Sequence, residues 1–402
     1  MGEPLALPRV AVVADLREER WYAMDLVAEM LLNNLQAQEA RLVDATELCP
    51  VMARRLTRLP LAGRTAAANT ADRILNRVWD YPRWLRSRVN YFDLFHIIDH
   101  SYAHLATGLP AGRSIVSCHD LDAFRGVLPG SRGSIVERTL GRRLLKGMSA
   151  ARKILCGSAA TRNELVAATA IPAELIVVVP YGVHPACSPR SEPDADREAA
   201  LLLGPPGGHC VDLLHVGSTI PRKRIDVLLR VVAALRKKSR DVRLIQVGGP
   251  LTSSERRLAG RLGLDDVVVV LPFLTPWVLA AVYRRAALLL QTSEREGFGL
   301  PVAEAMTCGT PVLASDLPAL REVGGRFSTY CPVGDVEQWI VAAAQLLEER
   351  ADDSASWRAR QVEGIAWAQR FDWRTHARTT MNIYRELLSD AASGHHLHSL
   401  EG

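Results

Sequence analysis

Residues 293–325 read Ser-Glu-Arg-Glu-Gly-Phe-Gly-Leu-Pro-Val-Ala-Glu-Ala-Met-Thr-Cys-Gly-Thr-Pro-Val-Leu-Ala-Ser-Asp-Leu-Pro-Ala-Leu-Arg-Glu-Val-Gly-Gly. The apolar run Ala286–Leu290 before them reads as a buried strand, and Pro301 stands where proline opens a helix. Glu296 is therefore placed on a loop at a helix N-terminus, and Glu304 about one turn inside the helix. Between them the N–H groups of Gly297, Phe298, Gly299 and Leu300 face the positive end of the helix dipole without intrahelical partners. Such a turn suits an anionic group, a diphosphate for instance, and its two carboxylates suit polyol hydroxyls.

Outward from this stretch, short apolar runs alternate with helical patterns. Strands are expected at Arg9–Val13, Ala40–Asp44, Leu94–Ile98, Ser114–Cys118, Lys153–Cys156 and Ile176–Val179, then at Val211–Val216, Val242–Val247, Val267–Leu271, Ala287–Gln291, Pro311–Ala314 and Ser328–Cys331. Helical periods fill the gaps, among them Tyr22–Leu35, Ile135–Met148, Ile225–Lys237, Pro276–Ala286 and Val336–Glu348. Two such series predict an α/β chain with two doubly wound, Rossmann-like sheets. The expected division is an N-terminal domain over 1–190, a linker over 191–208, a C-terminal domain over 209–372, a helix over 373–390 and a flexible tail over 391–402.

The string Glu-Gly-Phe-Gly-Leu-Pro-x-x-Glu, followed by Ala-Met-x-x-Gly-x-Pro-Val, resembles the signature of the retaining glycosyltransferases of the glycosyl transferases group 1 family. That resemblance implies the GT-B fold, two Rossmann-like domains facing each other across a cleft, with the C-terminal helix crossing back to the first. It also implies a nucleotide-sugar donor, with Glu304 bonding the ribose and Glu296 the donor sugar. A second segment, Leu214-His215-Val216-Gly217-Ser218-Thr219-Ile220-Pro221-Arg222-Lys223, is a strand running into a loop with two cations at a helix start. Cations placed there can neutralise a departing diphosphate. The loop is similar to the family's Gly-x-x-x-x-Arg-Lys phosphate loop, with Ser218 where many members carry arginine. Phe273 falls where members hold the nucleotide base.

In the first half, the strand Ser114–Cys118 delivers His119 at the end where open α/β sheets bind ligands. By resemblance His119 would meet a donor-sugar hydroxyl. Asp120-Leu121-Asp122 is a D-x-D sequence, a Mg²⁺ or Mn²⁺ motif in another glycosyltransferase architecture. That architecture has no use for the Glu296–Glu304 loop, so no metal is expected, and Asp120 is read as an orienting residue on the acceptor side. The segment from His96 to His104 looks like one seen in a subset of the family, placing Asp99 and Tyr102 toward the acceptor. A zinc cluster of His96, His100 and His104 would need a helical period that the strand pattern of Phe95–Ile98 breaks. The first βα turn, from Ala14 to Tyr22, has no glycine, so close backbone approach to phosphate is not expected. Asp15 and Trp21 are read there as acceptor-side residues.

Composition fits a globular chain: 402 residues, 48% hydrophobic and 23% charged, enough for two full cores. No apolar run approaches a bilayer span, and the first residues do not read as a secretory signal. Seven scattered cysteines without C-x-x-C spacing argue against a disulfide framework or zinc site, hence a reducing cytoplasm. Between Val51 and Asn90 nine arginines mingle with Trp79, Tyr81 and Trp84. That mixture fits an anionic membrane surface and peripheral attachment to the inner membrane face; no motif points to nucleic acid.

The expected activity is metal-independent, retaining transfer of a mannose- or glucose-type hexose, without a cofactor. The donor would be a GDP-, UDP-, ADP- or dTDP-sugar and the acceptor a saccharide or lipid-linked molecule, as in surface-polysaccharide or glycolipid synthesis. Two other readings stay open: a sugar-phosphate phosphorylase or epimerase on the same fold, or a non-catalytic nucleotide-sugar-binding protein.

Overall fold

The computed structural model describes residues 7–59, 65–128, 133–204, 210–238 and 241–398. They form two compact units: the described residues up to Tyr181 with those from Trp373 onward, and Gly182–Asp372.

The first unit holds six parallel strands: β1 (Arg9–Val13), β2 (Asp44–Leu48), β3 (Leu94–Ile97), β4 (Ser114–Cys118), β5 (Lys153–Cys156) and β6 (Ile176–Val178). Their order is β2-β1-β3-β4-β5-β6, with every pairing parallel. The central strands β3 and β4 are buried at every position, which is why they read as unbroken apolar runs. The edge strand lies four residues later than expected. The helix Tyr22–Gln38 continues past Leu35, and Leu42 and Val43 close a turn onto Glu39. Asp44–Leu48 then pairs with β1 alone, so its pattern is the half-polar one of an edge.

Helix Ile135–Ala150 starts with a capping box between Ser134 and Glu137. It lies so close to the 3₁₀ segment His100–Gly108 that a Cβ on Gly147 would stand 2.0 Å from the Ala103 carbonyl oxygen. The last helix, Trp373–His398, belongs to this unit: His376 Nδ1 donates to the Pro180 carbonyl (2.9 Å), and Tyr384 hydrogen-bonds His96 Nδ1 (2.7 Å). It continues through 391–398, which the sequence assigned to a flexible tail; 399–402 lie outside the described residues.

The second unit also holds six parallel strands: β7 (Val211–Val216), β8 (Val242–Val247), β9 (Val268–Leu271), β10 (Leu288–Gln291), β11 (Val312–Ser315) and β12 (Thr329–Cys331). Their order, β12-β11-β10-β7-β8-β9, reverses direction of winding between β7 and β10. That reversal is where doubly wound sheets place ligands, outside the carboxyl ends of the strands. In the first unit the equivalent point lies between β1 and β3. Within the expected linker, Pro193–Leu203 forms a helix that buries Ala195, Ala199 and Leu203 at four-residue spacing and joins Asp196 to Arg284 of the helix Pro276–Arg285. Its proline, acids and short apolar face hid that period.

Gly147→Ala forces the helix off the His100–Gly108 segment or strains both. The expected loss is about 1–3 kcal/mol of stability, read as a lower urea midpoint at unchanged slope. A midpoint equal to the parent's would show that the close approach bears no stability.

Candidate active site

At the winding reversal of the second unit, the loops after β7 and β10 are tied to each other. Gly217 leaves β7 with φ +152°, its N–H donating to the Val247 carbonyl (2.8 Å) and its carbonyl accepting from Gln246 Nε2 (2.7 Å). The chain then makes a 3₁₀ turn, Pro221–Lys223, and enters the helix Ile225–Lys237 through Arg224. Arg224 is left-handed (φ 52°) and held by paired bonds to Asp226 (2.9 and 3.0 Å). From the other loop, Thr292 donates its hydroxyl to the Lys223 carbonyl (2.8 Å) and Glu294 its N–H to the Arg222 carbonyl (2.7 Å). Arg222 in turn donates to the Arg295 carbonyl (2.9 Å). These bonds tie the two loops together.

At their meeting point stands Glu296. Its Oε1 accepts from Lys223 Nζ (2.6 Å), Ser293 Oγ (2.6 Å) and Gln291 Nε2 (2.7 Å), and its Oε2 faces Arg222 Nη1 at 3.4 Å. Burial alone would raise its pKa. The charges of Lys223 and Arg222, with the hydrogen bonds from Lys223 and Ser293, outweigh burial and hold it at about 2. The carboxylate therefore stays ionised, and Lys223, itself buried, keeps its counter-charge.

Gly299 caps the next helix, Leu300–Thr307, at φ +98°. A Cβ there would also lie 2.5 Å from Leu320 Cδ2, so both backbone and packing require glycine. Glu304 projects from this helix and is buried; the Tyr283 hydroxyl donates to its Oε2 (2.8 Å). Burial raises its pKa, and that one hydrogen bond only partly opposes the shift. Gly297 and Phe298 are buried, with Phe298 edge-on to Phe371 at 5.4 Å between centroids. Ser218 and Leu300 are half-buried. Phe273, after β9, is half-exposed. Gln291, Ser293 and Tyr283 are the site residues that motif reading missed. Ser293 borders the motif, but nothing in its spacing marked it, and Tyr283 sits in an ordinary helix.

In the first unit, the strand ends present acids and histidines. Asp15 follows β1 and is buried, and neither carboxyl oxygen has a hydrogen-bond partner among the described residues. Burial first, then the charge of Asp99, push it well above the carboxylate range. Asp99, after β3, accepts from the Ser101 N–H (2.8 Å) and hydroxyl (2.6 Å). Burial opposes its ionisation, but His100, His119 and Ser101 hold it below the usual range. His119 Nε2 donates to the Ile98 carbonyl (2.6 Å), so its Nδ1 accepts from the Tyr181 hydroxyl (2.6 Å). Both ring nitrogens are engaged inside the unit, and burial keeps the ring's pKa below its ordinary value. Tyr102 lies in the core, with the Arg77 guanidinium 4.2 Å over its ring. Trp21 is half-exposed.

The D-x-D pair is occupied locally: Asp120 Oδ1 accepts from the Asp122 N–H (2.9 Å), and Asp122 pairs with Arg125 (2.6 Å). His96, His100 and His104 have separate partners: His96 bonds Tyr384 and Ser117, His100 contacts Asp99, and His104 donates to the Arg77 carbonyl. Among the described residues no group of three or more His, Cys, Asp or Glu is placed to hold a metal ion.

Two parallel, doubly wound sheets with these loops define a GT-B glycosyltransferase scaffold. The glycosyl transferases group 1 profile matches residues 211–362, and the Glycosyltransferase Family 4 profile matches 31–186. The two matches and the relatives below together support a group 1 glycosyltransferase. Among its relatives, a D-inositol 3-phosphate glycosyltransferase of Saccharomonospora viridis is 35% identical over 216 residues, covering 50% of this chain and 48% of that protein. One from Acidothermus cellulolyticus is 32% identical over 228 residues, 54% of this chain and 49% of that one. The chain spans about half the length of these relatives. Among solved structures, sucrose-phosphate synthase of Thermosynechococcus elongatus superposes with TM-score 0.74 at 17% identity, over 95% of this chain and 100% of that one. Anabaena HepE in complex with UDP and glucose gives 0.70 at 17%, over 94% and 100%.

Glu296→Gln leaves buried Lys223 without its counter-charge, a loss of roughly 3–5 kcal/mol. The stabilisation from a depressed carboxyl is complete above the ordinary value of 4.5 and fades as pH falls toward about 2. Denaturation of parent and variant should therefore differ most above pH 4.5 and converge in acid. A pH-independent gap would contradict the ion pair.

Proposed function

We propose that the protein is a retaining glycosyltransferase moving a hexose from a nucleotide-diphosphate sugar to a saccharide or lipid-linked acceptor. The observation that carries this reading is the Lys223–Glu296 pair, built from two loops at the winding reversal of the second unit. Lys223 and Arg222 would stabilise the charge growing on the diphosphate as the anomeric C–O bond breaks, helped by amides around Gly297 and Phe298. Glu296 would accept from sugar hydroxyls, and Glu304, oriented by Tyr283, from the nucleotide ribose. The acceptor oxygen attacks from the face the diphosphate leaves, and the departing phosphate oxygen takes the acceptor's proton. That sequence retains anomeric configuration and needs no protein nucleophile.

Asp15, Trp21, Asp99, Tyr102 and Asp120 would lie on the acceptor side, Tyr102 and Asp99 by positioning. The carboxyls of Asp15 and Asp99 suit a polyhydroxylated acceptor, and the relatives named for D-inositol 3-phosphate make a phosphorylated polyol a first acceptor to test. UDP-glucose is a first donor to test, since it is bound in a HepE structure of the same fold. A phosphorylase would release sugar phosphate only when phosphate is supplied, and a binding protein would hold the donor without turnover.

Lys223→Ala should lower kcat about a hundredfold, the usual worth of one oxyanion contact of about 3 kcal/mol. Turnover like the parent's would remove lysine from the mechanism. Because Arg125 and the backbone already occupy Asp122 and Asp120, transfer should persist in EDTA. Loss of activity that Mn²⁺ restores would instead assign a metal to that pair.

A further inference from the structure

The helix Ile135–Ala150 turns Gly141, Leu144, Gly147 and Met148 inward. Its opposite face carries Ile135, Thr139, Arg142 and Lys146 at spacings of four, three and four, one stripe of a helix. Beside that stripe lie Val136, Arg138 and Arg143. Ile135 is 84% exposed and Val136 73%, so the apolar end of the stripe stands in water. Among the described residues no acid pairs with Arg138, Arg142 or Lys146. Arg143 donates to the Val78 carbonyl (3.3 Å), which joins the helix to the segment bearing Trp79, itself 61% exposed under Arg83.

The arginine-rich stretch 51–90 is a weaker candidate than its composition implied. Arg55 is taken by Asp80, Arg73 and Arg77 face Glu19, and Arg88 stacks on Trp84. Tyr81 is core, while Arg64 lies outside the described residues. What the stretch contributes is Trp79, delivered to the edge of the other helix.

We propose that the outward face of Ile135–Ala150, with Trp79 beside it, docks on an anionic lipid bilayer. Ile135, Val136 and Trp79 enter the acyl boundary, and Arg138, Arg142 and Lys146 meet the headgroups along about 17 Å of helix. Apolar and cationic residues on one face fit lipid better than nucleic acid, which has no use for two exposed aliphatic side chains. None of the described helices is long and apolar enough to cross a membrane. The inference bears on where a lipid-linked acceptor would be met, but its test requires no catalysis.

The test is flotation of the full chain with vesicles of phosphatidylcholine alone or with phosphatidylglycerol added. The chain should float with the anionic vesicles only, and less as salt rises. Arg142→Glu/Lys146→Glu should weaken binding more than about a hundredfold, and Ile135→Ser/Val136→Ser about tenfold. Arg54→Ser/Arg58→Ser should bind like the parent, and thermal melting of all three variants should be unchanged. Absent binding, equal binding to both vesicles, or unchanged binding of the charge-reversed variant would overturn the proposal. So would a lipid-free dimer dissolved by Ile135→Ser/Val136→Ser, since that face would then belong to a second copy.

Discussion

The ion pair between Lys223 and Glu296 is the interaction on which the meeting of the second unit's two loops depends. Lys223 is buried and little of the Glu296 side chain reaches solvent, so each would be unfavourable without the other. The pairing is possible because β7 and β10 are neighbours in the sheet although 75 residues separate His215 from Leu290, which bond across the strands. Strands that leave side by side at a winding reversal deliver their loops to one place. Ser293 and Gln291 then satisfy the same carboxylate oxygen, while Thr292 and Glu294 hold the backbone of the cationic turn. The result is a fixed arrangement of charge, the kind of site that loses little to reorganisation when a ligand's charge develops.

The first unit repeats the architecture with different chemistry at its strand ends. Where the second places lysine and arginine, the first places Asp15 and Asp99, one driven toward its neutral form by the other and by burial. A carboxyl pair of this kind, one neutral and one ionised, can exchange hydrogen bonds with hydroxyls. The turn after β1 has no glycine, and its first residues run through buried Leu16 to a left-handed Arg20, not through an open phosphate loop. One fold thus carries two opposite electrostatic settings.

How much of this was legible in the sequence follows from burial. Central strands β3, β4, β7 and β8 read within a residue of their observed bounds because each is mostly apolar and mostly buried. β2 lies four residues later than its expected place because the helix before it runs on to Gln38 and Leu42 and Val43 are used in the turn onto Glu39. The helix Pro193–Leu203 was read as linker because alanines supply two of its three buried contacts. Glu296, Lys223 and Glu304 stood out because they fall in motifs shared with the resembled family. Ser293, Gln291 and Tyr283 did not, because their roles come from packing partners that no spacing encodes. His119 was legible as a strand-end residue, but its bonds to Tyr181 and Ile98 depend on how three separate segments meet.

The same distinction explains why arginine density at 51–90 overstates the charge that this stretch leaves free. A charge run in sequence does not reveal which charges are consumed internally, and Arg55, Arg73 and Arg77 are. Helix Ile135–Ala150 is the converse case. It is held by close backbone approach at Gly147 and by the buried side chains Leu144 and Met148. Ile135 and Val136 lie largely outside that packing, beside cations that no acid pairs among the described residues. An exposed apolar pair followed by a cationic stripe on one helix face is the pattern on which the proposed lipid contact rests.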